Sequence, residues 1–367
     1  MSTAKQRALR KPEPYIPDIG RAVVKPRLEG KGRTINLSLN ESSFGASPRA
    51  VAAAQERCER LNRYPDVAST ELRRAIGAHF GLDPDRIVCG NGSEELLDII
   101  ARLYARPGDE ILFSEFGFIQ FPIVTMRVGA TAVKAPAPDL VTNVDALLER
   151  ITERTRIVYL DNPNNPCGTY ISADEVKRLR DGVPSHVVLV IDSAYADFVD
   201  GRDYTDGIEL VEGFDNVIVT RTFSKAWGLA ALRVGWGYTS LSMARVMNRM
   251  RGIGNVNAIA QATVLAALKD ADFVRFVREK TAAERARLTG ALTRLGLHVT
   301  PSVTNFLMVR FPSDTNHRAS AALAHLAEHG IIVRAAEDYG LPDCLRITIG
   351  DAQENDRVLA ALKGFLV

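Results

Sequence analysis

The sequence predicts an α/β protein in which a large domain with a mostly parallel sheet is followed by a smaller α+β domain. Between residues 36 and 245, short runs rich in β-branched residues alternate with helical patterns, as in parallel sheets covered by helices. Beyond residue 245 the pattern becomes one long helical region, then a strand, a helix, two strands and a closing helix. The chain has 367 residues, enough for one large and one smaller domain.

Residues 1–35 are rich in proline and lack periodicity, so we expect an irregular N-terminal arm. The strands predicted for the large domain, residues 36–245, are RIVCG (86–90), EILF (110–113), TRIVYL (155–160), HVVLVID (186–192) and NVIVT (216–220). Gly81 closes the helical pattern STELRRAIGAHFG, and Ser172 and Glu175 have capping-box spacing in the helical pattern SADEVKRL.

The small domain, residues 246–367, is expected to pack with the arm. Its long helical region begins at residue 258 and is predicted to break near Asp270–Asp272. The elements that follow are a strand in SVTNFLMVRF, a helix at about 316–329, strands in GIIVRAA and CLRITIG, and a final helix.

Composition excludes several classes of function. Lys plus Arg number 46 and Asp plus Glu 44, and this near balance gives no support to a nucleic-acid or acidic-membrane partner. Four scattered cysteines without a CxxC pair exclude a zinc ribbon and favour reduced thiols in the cytoplasm. We expect no signal peptide and no membrane span, because no apolar run of suitable length occurs. We also expect no metal site, because His325 and His329 lack an evident third ligand.

Two loops that follow predicted strands contain residues suited to ligand binding, since open α/β sheets bind ligands at the carboxyl ends of their strands. In VCGNGSEELLDII, glycines precede a helix that starts near Ser93 and Glu94, where free N–H groups favour a phosphate. The alternative is a plain turn capped by Ser93. In LDNPNNPCGTY, prolines stiffen a loop that can hold Asn165 as a hydrogen-bond donor, although a purely structural turn is equally compatible.

Two further strand ends contain charged residues in apolar surroundings. Asp192 ends the strand in VVLVIDSAYADF, and Tyr195 follows three residues later. An acid at such a place serves either as a helix cap or as the partner of a buried cation. In TRTFSKAWGLAALRVGW, Ser224 and Lys225 precede Arg233. A lysine near another cation and away from water becomes a nucleophile for carbonyls, whereas the alternative is a lysine that extends into solvent.

Together these groups match one cofactor. A phosphate cradle, an amide, a strand-end acid and a lysine correspond to the phosphate, phenolic oxygen, ring nitrogen and aldehyde of pyridoxal 5′-phosphate. The motifs resemble those of the fold-type I pyridoxal-phosphate-dependent aminotransferases of class I and II, which have the aspartate aminotransferase-like fold. The resemblance runs from PYIPDIG to CLRITIG and is greatest to the histidinol-phosphate branch.

The resemblance implies roles for individual residues. Lys225 would bind the cofactor covalently and move the proton, with Asp192 and Tyr195 as the other catalytic residues. Asp192 would pair with the pyridine nitrogen, and Asn165 and Tyr195 with the phenolic oxygen. The further cofactor-binding residues would be Ser93, Glu94, Ser224 and Arg233 at the phosphate, Phe118 stacked on the ring, and Tyr64 from the other subunit of a homodimer. The substrate-binding residues would be Tyr15, Asn40, Arg334 and Arg346.

The resemblance implies transamination between glutamate or 2-oxoglutarate and a second small molecule, foremost histidinol phosphate and imidazole-acetol phosphate. Ser43, Phe44, Cys167, Ser193 and Ala231 depart from the usual motifs without removing a cofactor-binding group. They make the substrate pocket less polar, so an aromatic amino-acid aminotransferase remains an alternative. A threonine-phosphate decarboxylase-like lyase and a regulatory cofactor-binding domain without turnover are further alternatives.

Overall fold

The computed structural model describes residues 34–314 and 316–366. The strands in this part of the chain are β1 (Ile35–Asn36), β2 (Ile87–Gly90), β3 (Glu110–Ser114), β4 (Thr131–Ala135), β5 (Thr155–Asp161), β6 (Val188–Asp192), β7 (Val217–Thr222), β8 (Gly235–Thr239), β9 (His298–Val299), β10 (Phe306–Arg310), β11 (Ile331–Ile332), β12 (Arg334–Ala335) and β13 (Cys344–Thr348). The α-helices are α1 (Pro48–Cys58), α2 (Thr70–Phe80), α3 (Ser93–Tyr104), α4 (Gln120–Arg127), α5 (Val144–Leu148), α6 (Ala173–Gly182), α7 (Leu241–Met250), α8 (Ala258–Ala267), α9 (Ala271–Arg294), α10 (Ala319–Glu328) and α11 (Ala352–Phe365).

A seven-stranded sheet in the order β2-β8-β7-β6-β5-β3-β4 organises the first part of the chain. Strands β4, β3, β5, β6 and β7 are parallel, and β8 runs antiparallel to β2 and β7. The predicted mostly parallel sheet is therefore confirmed, and the five predicted strands correspond to β2, β3, β5, β6 and β7. Strands β4 and β8 were not predicted, because β4 is largely exposed and β8 has the glycine-rich sequence GWGYT.

The register of the central strands places their carboxyl ends side by side. Asp161 at the end of β5 is the Cα partner of Asp192 at the end of β6, and Asp192 is in turn the partner of Thr220 in β7. The residues of β6 and β7 are buried throughout, because helices cover both faces of the sheet. Polar groups that follow these strands therefore meet at one edge of an apolar layer.

The last part of the chain forms a four-stranded antiparallel sheet in the order β12-β13-β10-β9. The predicted helix break is confirmed, since α8 ends at Ala267 and Asp270 precedes α9. The segment GIIVRAA forms two short strands instead of one: β11 pairs in parallel with β1, and β12 pairs with β13. This sheet has its own core, with helices α9, α10 and α11 contributing.

The division into domains at residues 35 and 245 stays a prediction. Helix α8 and the first turns of α9 supply Val264, Val274 and Val277 to the core beside the seven-stranded sheet. Residues beyond 245 therefore contribute to both cores. Among the described residues, no helix combines the length and apolar character that crossing a bilayer requires.

The predicted helix-end signals are found in part. Gly81 ends α2 in the left-handed conformation, as expected. At α6, the Ser172 side chain accepts a hydrogen bond from the N–H of Glu175 at 3.3 Å, but the Glu175 carboxylate bonds to Arg178. Only half of the predicted capping box is therefore present at this helix.

Gly235, at the start of β8, has no space for a side chain. A Cβ at this position would lie 2.2 Å from the backbone nitrogen of Ser93, at the start of α3. Because backbone cannot yield as a flexible side chain does, we predict that Gly235→Ala lowers the free energy of unfolding by about 2 kcal/mol or more. Urea denaturation measures this change.

Gly213→Ala is the matched control, since a Cβ there would meet nothing within 4 Å and its φ is −100°. It should leave the free energy of unfolding unchanged or raise it by about 0.5 kcal/mol. Equal unfolding midpoints for the two variants would contradict the close packing of β8 on α3.

Candidate active site

A cavity of about 710 Å³ lies at the carboxyl ends of β5, β6 and β7, between the two sheets. Twelve of the predicted site residues line it: Asn40, Ser93, Glu94, Phe118, Asn165, Asp192, Tyr195, Ser224, Lys225, Arg233, Arg334 and Arg346. Tyr64 does not line this cavity, and its side chain is 94% exposed. Tyr15 lies outside the described residues.

Lys225 lies in the loop after β7 with its amine at the cavity. Its Nζ donates a hydrogen bond to the carbonyl oxygen of Leu39 at 3.2 Å. Desolvation, with the nearby guanidinium groups of Arg346 and Arg233, lowers the pKa of Lys225 to about 8. A substantial fraction of this lysine is therefore neutral and nucleophilic near neutral pH, as its predicted role requires.

Asp192 is buried at the end of β6 and faces the same cavity. Burial raises the pKa of its carboxyl to about 6, while a hydrogen bond donated by Thr220 Oγ1 at 3.0 Å acts in the opposite direction. A carboxylate in such surroundings is stabilised by a cationic partner. The protonated nitrogen of a heteroaromatic ring is a partner of suitable charge.

Tyr195 and Asn165 line the same cavity as Asp192. Asn40 Nδ2 donates to the hydroxyl oxygen of Tyr195 at 2.8 Å, and burial raises the pKa of Tyr195, which keeps its hydroxyl protonated. Asn165 Oδ1 accepts a short hydrogen bond from Arg346 Nη1. The Nδ2 group of Asn165 can therefore serve as a donor toward a ligand oxygen, together with Tyr195.

An anion cradle forms where α3 begins. The residue before the helix is Gly92, which offers no capping side chain, so the first N–H groups of α3 are free to bind a ligand. Arg233 Nη1 lies 3.4 Å from Ser224 Oγ. Gly92 has a φ of +83° and a ψ of 163°, a backbone conformation that L side chains rarely adopt, so a glycine is favoured here. The alternative of a turn capped by Ser93 is wrong, because Ser93 is the first residue of the helix.

Glu94 contributes to this cradle differently from the other residues. Its carboxylate lies 3.6 Å from Arg233 Nη2 and so competes with an anion for that guanidinium. We expect its backbone N–H, not its side chain, to contact a phosphate.

The cavity also contains two arginines that belong to the four-stranded sheet. Arg334 and Arg346 are Cα partners on β12 and β13. Arg334 Nη2 pairs with Asp338 Oδ2 at 2.7 Å, and the buried Arg346 donates from Nη2 to the carbonyl oxygen of Ser38 at 2.8 Å. Two adjacent guanidinium groups suit a carboxylate or a phosphate.

An apolar wall also lines the cavity, and of its members only Phe118 was predicted from the sequence. It comprises Phe118, Ile119, Pro122, Ile123 and Met126, at the start of α4 and within it. Phe121 is fully buried in the core, which leaves Phe118 as the phenylalanine of this segment that lines the cavity.

Several polar cavity residues were also missed: Asp161, Thr222, Asp338 and Tyr339. Asp161 directly precedes the asparagine-rich loop, and its place at a strand end was a signal of the same kind as that of Asp192. In the described ranges 34–314 and 316–366, no group of three or more His, Cys, Asp or Glu side chains could hold a metal ion.

The residues present fit pyridoxal 5′-phosphate. The uncapped start of α3, with Ser224 and Arg233, suits a phosphate, and the buried Asp192 suits a pyridinium nitrogen. Asn165 and Tyr195 can hydrogen-bond to a phenolic oxygen, and the lowered pKa of Lys225 suits reaction with an aldehyde.

Comparisons with known proteins agree with this donor set. The family described as aminotransferase class I and II matches residues 33–362. Histidinol-phosphate aminotransferases of Paramagnetospirillum magneticum and Rhodospirillum centenum are 50% and 48% identical, each over 97% of this chain and 98% of theirs. A histidinol-phosphate aminotransferase of Sinorhizobium meliloti, solved with pyridoxal 5′-phosphate, is 31% identical, with a TM-score of 0.86 over 91% of this chain and 90% of that one. The chain thus belongs to the class I and II aminotransferases, with an aspartate aminotransferase-like fold and pyridoxal 5′-phosphate as its cofactor.

Proposed function

We propose that this enzyme transfers an amino group between glutamate and imidazole-acetol phosphate, which gives 2-oxoglutarate and histidinol phosphate and serves histidine biosynthesis. The observation that carries the proposal is the pair Arg334 and Arg346, which gives the cavity two guanidinium groups in addition to Arg233 of the cradle. One anion site is needed for the cofactor phosphate and another for the substrate's phosphate or carboxylate. The relatives named for this reaction support the choice.

Each side chain of the cavity has a defined task in this reaction. The bound cofactor supplies a conjugated ring that accepts electrons from the substrate's α-carbon. Lys225 takes the proton from that carbon and returns it at a neighbouring position, and a pKa of about 8 suits both steps near neutral pH. Asp192 keeps a positive charge on the ring nitrogen. Asn165 and Tyr195 orient the ring through its phenolic oxygen.

Arg346 and Arg334 select the substrates. In a two-stage reaction both substrates use the same cavity in turn, so one arginine pair must accept the carboxylate of glutamate and the phosphate of the other substrate. A guanidinium binds both in a bidentate manner. Arg346 is already oriented by Asn165 and the Ser38 carbonyl, whereas Arg334 is held by Asp338. We assign Arg334 the larger role toward the phosphate.

We further propose a homodimer with the site at the subunit interface. Tyr64 is 94% exposed in the single chain, and Leu61 and Ile253 are also exposed, at 69% and 93%. Large side chains with such exposure favour a surface that a second copy covers. Tyr64 would then reach the cofactor phosphate of the partner subunit, and Tyr15 would contact the substrate. We also propose a cytoplasmic enzyme, which the free cysteines favour.

The apolar wall of the cavity favours a second candidate activity. Phe118, Ile123 and Met126 form an apolar surface that suits an aromatic ring. Phenylalanine or tyrosine is therefore the second candidate for the amino donor. Such a substrate would use Arg346 for its carboxylate and leave Arg334 without an anion.

Half-reactions of the purified enzyme distinguish these substrates. We predict that histidinol phosphate and glutamate each remove the visible absorption band of the lysine-bound cofactor, and that phosphothreonine releases no carbon dioxide. Arg334→Gln should raise the KM for histidinol phosphate by about 10-fold or more and that for glutamate less, because a charged hydrogen bond to phosphate is lost. Loss of the band with phenylalanine but not with histidinol phosphate would reject the proposed substrate.

The lowered pKa of Lys225 predicts how cofactor uptake depends on pH. Only the neutral amine reacts, so the rate of uptake by cofactor-free enzyme should rise with pH and level off above about pH 8. Arg346→Gln should move this midpoint to higher pH, because the Arg346 charge disfavours protonation of the lysine.

Arg334→Gln is the control, since Asp338 already balances that arginine and the midpoint should stay in place. Stopped-flow absorbance at a series of pH values measures the rates. A rate that keeps rising beyond pH 10 in the wild type would show an ordinary lysine and contradict the assignment.

A further inference from the structure

Two buried carboxyl groups stand side by side at the edge of the cavity. Asp161 and Asp192 end adjacent parallel strands as Cα partners, are 4% and 3% exposed, and both line the cavity. The proposed reaction uses Asp192 and leaves Asp161 without a role. Burial of a second carboxyl group at this place costs folding free energy, so a function of Asp161 is expected.

One oxygen of Asp161 anchors the loop that follows β5. Its Oδ2 accepts hydrogen bonds from the backbone N–H of Asn165 at 2.8 Å and from Asn164 Nδ2 at 3.1 Å. Asn164 in turn donates to the carbonyl oxygen of Phe116 and accepts from the N–H of Cys167. The carboxyl group therefore fixes the position at which the Asn165 side chain leaves the loop.

The anchored side chain connects the two sheets across the cavity. Asn165 Oδ1 accepts the hydrogen bond from Arg346 Nη1, and Arg346 belongs to β13 of the four-stranded sheet. A continuous chain of hydrogen bonds thus leads from Asp161 through Asn165 to Arg346. If the loop shifts, the arginine loses one of its two oriented contacts.

We propose that Asp161 is a positioning residue for transamination: through the Asn165 backbone it orients both the amide that faces the cofactor and the arginine that binds the substrate anion. The proposal rests on the proposed function, since it concerns the same cavity. Asp161 itself need not touch substrate or cofactor.

The surroundings of Asp161 shift the pKa of its carboxyl group. Burial and the neighbouring Asp192 carboxyl raise the pKa of Asp161 well above its usual value, against the two N–H donors. The other titratable or charged groups nearby are Cys167, Tyr339 and, beyond Asn165, Arg346. Two adjacent buried carboxyls rarely ionise together. Of the two, burial and the Asp192 charge make Asp161 the carboxyl group that is more readily protonated.

Asparagine is a close substitute for an aspartic acid that acts as a hydrogen-bond acceptor. Asp161→Asn keeps an acceptor oxygen for the Asn165 N–H, whereas Asp161→Ala removes the anchor. In the holoenzyme we expect Asp161→Ala to raise the KM for glutamate and for histidinol phosphate about 10-fold, with kcat changed less than about threefold, since Arg346 loses its oriented hydrogen bond to Asn165. Asp161→Asn should restore both KM values to within about threefold of wild type.

Hydrogen exchange gives a readout that does not depend on turnover. In Asp161→Ala holoenzyme the Asn165 amide should exchange at least about 10-fold faster, because its acceptor is missing, and in Asp161→Asn it should stay protected. Mass spectrometry of a peptide that covers residues 161–168 measures this. If the alanine variant does not fold, Asp161→Val takes its place with the same expectation, since valine also lacks an acceptor.

Two results would overturn the proposal: wild-type KM values and exchange in Asp161→Ala, or an Asp161→Asn enzyme whose Asn165 amide stays protected while its KM values are as impaired as those of the alanine variant. The second result would mean that a charge at residue 161 is required. If the wild-type enzyme turns over neither substrate, the proposed function fails, while hydrogen exchange still tests the anchor by itself.

Discussion

The register of three parallel strands governs the arrangement of this active site. Asp161, Asp192 and Thr220 lie side by side because β5, β6 and β7 pair in register. The loops that leave these strands carry Asn165, Tyr195 and Lys225 to one cavity. Helices bury the faces of these strands, so the polar groups gather at the carboxyl ends, where the cavity lies.

Electrostatics then divides the cavity into regions with different tasks. The free N–H groups of α3 and Arg233 make one part of the cavity attractive to a phosphate, and Arg334 and Arg346 give it a second pair of guanidinium groups. The lowered pKa of Lys225 comes from burial together with the charges of Arg346 and Arg233, whereas burial raises the pKa of Asp192. A cofactor with an anionic phosphate and a cationic ring nitrogen matches this set of charges.

Residues whose task depends on a strand end were predictable from the sequence. Asp192 and Lys225 lie at or after apolar, β-branched runs that predict strands, and the cavity contains both. Asp161 gave the same local signal at the end of β5, but its link to Arg346 through Asn165 depends on tertiary contacts that local pattern does not encode. Strand β8 is defined by its partners β2 and β7 and not by its own composition. The apolar wall in α4 required the tertiary structure, and the role of Tyr64 requires a second chain.

The central claim is that Lys225 binds the cofactor covalently. Borohydride reduction of the holoenzyme, digestion and mass spectrometry test it most directly, because reduction fixes the cofactor on the lysine to which it is attached. We predict that the reduced cofactor is found on the peptide that contains Lys225, and that Lys225→Ala enzyme carries none. Reduced cofactor on another lysine, or equal labelling of Lys225→Ala, would contradict this description of the site.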